Sequence, residues 1–95
     1  MTTTIDYDTL PPYMQGAARR YIENGIPPGS FLTAVICNDL MGAFGKADNM
    51  NRAAMWDWVR FFYNDAPSTC WGSERKMAAW IDRGGLEGHD AEEVA

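Results

Sequence analysis

The sequence predicts an all-α fold, a compact single domain of about four short helices. Three observations point there. Apolar residues recur at three- and four-residue spacing over four stretches. Those stretches are punctuated by Pro, Ser or Asp at their starts and by Gly or Ala-Pro after three of them. Nowhere do apolar and polar residues alternate as they would along a half-buried strand.

Residues 1–8 are polar and Thr-rich and read as a flexible arm. Pro11-Pro12 opens helix one, with Pro12 at the first helical position, where a missing N–H costs nothing. Tyr13, Met14, Ala17, Ala18, Tyr21 and Ile22 then share a face up to Asn24, and Gly25 is the expected left-handed stop. Ile26-Pro27-Pro28 repeats the device. Helix two is expected to run unbroken from about Pro28 to Lys46, with Leu32, Ile36, Cys37, Leu40, Met41, Ala43 and Phe44 as its core stripe. Asp48 can cap helix three, Asn49 to Asp65, whose core face is Met50, Ala54, Trp58, Phe61 and Phe62. Ala66-Pro67 ends it, because the residue before Pro avoids helical angles. Ser73 caps helix four, Glu74 sits at its positive end, Met77, Trp80 and Ile81 form its apolar face, and Gly84-Gly85 closes it. The expected domain is therefore residues 9–85, followed by an acidic, disordered tail at residues 86–95.

Composition removes several function classes. The net charge of −5 argues against nonspecific nucleic-acid binding, which needs clustered Lys and Arg to release counterions. Two Cys, at positions 37 and 70, do not make a disulfide scaffold, and Cys37 is expected to lie in the core with Cys70 the more reactive thiol. The first residues have no basic, then apolar, signal pattern, and no uncharged apolar run reaches a membrane span, so the expectation is a soluble, cytoplasmic protein. His89 is the sole His and the Cys are far apart, so no metal or cofactor is expected. The S-x-x-K spacing of Ser73 to Lys76 and the Asp48-Asn49-Met50-Asn51 run both read as helix caps. Without converging titratable groups, the chain is expected not to be an enzyme.

Two candidate sites remain. Pro28-Gly29-Ser30 opens helix two with free N–H groups, a hydroxyl and an unhindered Gly, a seat for phosphate or carboxylate. Arg19 and Arg20 would reach it, and Thr33 adds a hydroxyl one turn on. The blander reading of Pro-Pro-Gly is a tight interhelical corner. The second candidate is an interface that joins the strip Asn38, Gly42 and Gly45 to an aromatic excess at Trp56, Val59 and Tyr63. Against it, helix four and the TCWG loop would cover those rings within the monomer.

The runs YIENGIPPGSFLTAVICNDL and APSTCWGS make the chain resemble small uncharacterised accessory proteins of tailed phages and prophages, over roughly residues 9–85. The resemblance carries no activity and no functional residue. It implies a setting, an early factor that acts on a host target, with anti-CRISPR and other anti-defence proteins as the best-known such class. The expectation is a non-enzymatic phage accessory protein that binds and blocks a host protein of a defence system, through host contact or self-association. Two alternatives stand beside it: a homo-oligomeric sponge for a nucleotide signal, and a small virion or assembly component.

Overall fold

The four expected helical spans are present in a computed structural model, which describes residues 5–88, but two of the four are broken. Among the described residues the structure is all-α, with no strand. α1 (Pro12–Asn24) runs as the Pro and Gly punctuation dictates, and Gly25 closes it at φ 70°. α2 (Ser30–Ile36) and α3 (Leu40–Lys46) replace the single long helix.

The break falls at Asn38-Asp39, and both residues cause it. Asn38 takes the left-handed conformation at φ 65°, which Asn tolerates better than other residues with a Cβ. Its N–H bonds Val35 O at 3.1 Å, and the Asp39 N–H bonds Ala34 O at 2.8 Å. This pair of bonds is a Schellman stop. Asp39 then starts α3, its Oδ1 accepting from the Gly42 N–H at 2.9 Å. The two residues are a stop followed by a start.

The reorientation overturns half of the expected stripe. Leu32, Ile36 and Ala43 are buried, but Leu40, Met41 and Phe44 are exposed. Phe31 is buried instead, edge-on to Trp58 with ring centroids 5.6 Å apart.

The third span is α4 (Asn49–Ala53), a slip at Ala54, α5 (Met55–Arg60) and a π-helical turn at Phe61–Asp65. Asp48 caps it as expected, accepting from the Asn51 N–H at 2.7 Å. The slip turns Met50 outward and Met55 inward. The wider π turn, closed by Ala66 N–H to Phe61 O at 3.0 Å, accompanies the burial of Trp58, Phe61 and Phe62 together. Asn51 is buried with them and accepts from Trp58 Nε1 at 3.1 Å, so its desolvation is compensated.

A 3-10 turn at Ser68–Cys70 leads to α6 (Glu74–Arg83), capped by Ser73 Oγ on the Lys76 N–H and closed by Gly84 at φ 83°. α6 locks onto the end of α1. Trp80 Nε1 donates to both Tyr21 O and Ile22 O at 3.1 Å, among the last carbonyls of α1. Beside it, Gly25 and Gly85 meet backbone to backbone: a Cβ on Gly85 would lie 2.6 Å from Gly25 N.

The domain boundaries move outward at both ends. Tyr7, expected in the arm, is 3% exposed, packs tilted against Phe61 with ring centroids 5.6 Å apart and donates its hydroxyl to Glu23. Leu86, expected in the tail, packs on the core, and residues 85–88 are helical. Residues 1–4 and 89–95 lie outside the described residues. The thiols also exchange places. Cys70 is fully buried, its carbonyl held by the Tyr21 hydroxyl at 2.7 Å, whereas Cys37 is part-exposed beside Met77.

Candidate functional site

The apolar surface that the broken helix turns outward is the most prominent chemical feature of the described residues. With Ala43 alone buried on α3, Leu40 and Phe44 stand one turn apart on its outer side, with Met41 82% exposed beside them. Across from them, α5 and the π turn carry Trp56, Val59 and Tyr63 at spacings of three and four, which keeps them on one face. These too are uncovered: Trp56 is 69% and Tyr63 75% exposed. Neither α6 nor the TCWG loop covers them, although Tyr63 leans on Trp71 at 6.4 Å.

A groove of about 70 Å³ joins the two edges. Val35, Asn38, Leu40, Ala43, Met55 and Val59 line it, together with Asp39, whose carboxylate caps α3. Leu40 of α3 and Val59 of α5 thus share one groove. Of the residues that line this groove Asp39 alone is charged; Asp57 and Arg60 pair with each other at 3.0 Å on the surface of α5, a contact of small energetic weight.

The structure brings Asn38 and Val59 together in this groove and places Trp56 and Tyr63 on either side of Val59. Gly42 and Gly45 have other roles. A Cβ on Gly42 would strike the Asp39 carboxylate, so its bareness serves the α3 cap, and Gly45 has nothing within 4 Å of its Cβ position. Close backbone approach occurs at Gly25 and Gly85 instead. The residues missed in the sequence are Leu40, Met41 and Phe44, which a continuous helix would have placed inside. The signal that finds them is the Asn-Asp pair, a residue tolerant of positive φ directly before a good N-cap.

The corner at residues 28–30 is placed differently. Gly29 precedes α2 in extended conformation, Ser30 is exposed, and Thr33 Oγ1 donates back to Pro28 O at 3.4 Å. Both arginines lie along α1. Arg19 sits over the Tyr7 ring at 5.0 Å and 3.9 Å from Glu23, and Arg20 folds back over Gly16. Among the described residues, no hydrogen bond or ion pair links either guanidinium to Gly29, Ser30 or Thr33.

A second, wider groove of about 460 Å³ runs between residues 9–12 and α4, walled by Leu10, Pro11, Met50 and Ala53, with few polar groups. Above it, the Tyr13 hydroxyl donates to Asp48, which ties α1 to the α4 cap. That bond raises the Tyr13 hydroxyl to about 12 and holds the Asp48 carboxyl below its ordinary range.

Among the described residues, no group of three or more His, Cys, Asp or Glu is placed to hold a metal ion, and no helix is long and apolar enough to cross a membrane. Compared with protein families, with curated proteins and with solved structures, the chain matches none.

Proposed function

We propose that this chain is a non-enzymatic phage accessory factor that binds and blocks a host protein, with the α3–α5 face as its contact surface. The observation that supports this reading is the exposure of Leu40, Met41 and Phe44 on α3 and of Trp56, Val59 and Tyr63 on α5 and the π turn, with a groove that Leu40 and Val59 both line. Exposed apolar patches above a few hundred Å² mark contact sites, and aromatic and Met side chains are enriched in their centres. The phage setting comes from the sequence resemblance alone.

The charge distribution refines the picture. Residues 5–85 carry nine acidic and eight basic side chains, while residues 86–95 carry four acids and no Lys or Arg. The body is thus close to neutral, and the acidic excess belongs to the end of the chain. In this reading the apolar face supplies affinity, and the terminal acids steer the approach to a basic target.

A photoreactive residue placed at position 56 or 63, with position 79 on α6 as the control, tests the reading in host cells. A discrete adduct with one host protein from 56 and 63, absent from 79, is the expected result. Adducts from 79 alone, or equally from all three positions, would overturn it.

A further inference from the structure

We propose that Trp71 is a swinging side chain: closed, its indole lies against Phe62 and Tyr63 with the N–H unmet, and open, it turns that N–H to water and bares the edge of Phe62 beside Tyr63. The four indoles of the chain supply the contrast. Trp56 is 69% exposed, so its N–H meets water. Trp58 and Trp80 are fully buried, and both are compensated. Trp58 Nε1 donates to Asn51, and Trp80 Nε1 donates to the carbonyls of Tyr21 and Ile22. Trp71 Nε1 is sealed from solvent and has no acceptor among the described residues. A donor so placed carries the whole cost of its lost hydration, and any conformation that returns it to water recovers that cost.

The surroundings say which part moves. On one side of Trp71 the Cys70 carbonyl accepts from the Tyr21 hydroxyl at 2.7 Å. On the other the Gly72 N–H donates to Ile36 O at 2.7 Å, from a backbone at φ 125° that a residue with a Cβ rarely adopts. The loop is therefore pinned at both neighbours of Trp71, and the freedom left is rotation of the side chain between rotamers. The indole is only part-buried, so it already borders solvent. It meets Phe62 and Tyr63 tilted at 54° and 58°, with ring centroids 6.4 Å apart in each case, against 5.2 Å between Phe61 and Phe62 in the core. Tyr63 belongs to the proposed contact face, so an occupant that packs on the bared edge of Phe62 would draw the indole open by binding that form better. The swing itself is a property of the free chain and does not rest on that reading.

Hydrogen exchange of the four indole protons, followed by nuclear magnetic resonance on the isolated chain across a series of low urea concentrations, tests the swing. Trp71→Phe assigns one of the four signals by its loss, and every rate is read on the unaltered chain. Trp56 should exchange without protection. Trp58 and Trp80 should exchange only when the whole chain unfolds, at rates that climb steeply with urea. Trp71 should exchange at least about tenfold faster than those two, at a rate nearly independent of urea, because a side-chain rotation exposes little surface. A Trp71 proton as protected as those of Trp58 and Trp80, with the same urea dependence, overturns the proposal. So does a magnetisation-transfer contact between a slowly exchanging Trp71 proton and a long-lived water, which would be the acceptor that keeps the indole closed. Cross-linking from positions 56 and 63 decides separately whether the neighbouring face docks anything.

Discussion

Asn38 and Asp39 decide which side of α3 faces out, and the decision is made by backbone geometry rather than by polarity. A residue at φ 65° that carries an ordinary Cβ is strained by about 1–2 kcal/mol, less for Asn, and not at all for Gly. Asn38→Ala should therefore lower the unfolding free energy by about 1 kcal/mol, and Asn38→Gly should leave it within about 0.5 kcal/mol. Urea titration of the two variants checks this. Equal losses would show that the Asn side chain, not the backbone conformation, matters there. The stop-and-start pair was legible in principle, because both residue types have known preferences. It was hidden by the apolar residues on either side, which continue a helical period across the break as though none existed. Periodicity reports which residues are apolar, and a turn of the backbone changes where they point.

At the scale of the elements, the spans with unambiguous local signals were readable to the residue. α1 and α6 begin and end where Pro12, Gly25, Ser73 and Gly84 say they should. The π turn was not, because it follows from the burial of three large rings at positions 58, 61 and 62, which is tertiary competition rather than local preference. Nor was the contact of Gly25 with Gly85 visible, since two glycines sixty residues apart each read simply as stops. That contact is tight. A methyl at Gly85 would lie 2.6 Å from Gly25 N and 2.7 Å from Asn24 N, at a backbone φ of 70°. Gly85→Ala should cost about 2–3 kcal/mol from overpacking and conformational strain together. Gly45→Ala, in α3 with open space around it, should hold stability or raise it by up to about 1 kcal/mol. Chemical denaturation of the pair should show a loss for Gly85→Ala alone; similar losses would remove the close approach as the cause. The candidate face was half legible for the same reasons: the aromatic excess on α5 is a matter of composition, but its α3 edge depends on the broken helix.

Across the whole molecule, the core holds groups that must stay protonated. Burial keeps the Tyr7 and Tyr21 hydroxyls above their ordinary value of 10, the Glu23 carboxylate adding to the effect at Tyr7, and burial pushes the Cys70 thiol up to about 12. Each folded value lies above its unfolded one, so the unfolded chain releases these protons first. The Cys70 contribution is complete below pH 9, the ordinary thiol value, and is lost progressively between there and about 12, while that of the two tyrosines is complete below pH 10 and is lost above it. The urea midpoint should be level near neutral pH and fall steadily above pH 9. A midpoint level through that range would mean these groups meet solvent in the folded state. The α2–α3 break has a consequence for how such a protein can change over generations. Leu40, Met41 and Phe44 hang on a short helix that the core grips through Ala43, so altering them disturbs little of what keeps the chain folded. The proposed contact stretch is thereby uncoupled from the stretch that resists unfolding. A lineage can rewrite that surface, substitution by substitution, and retain a foldable protein at every step.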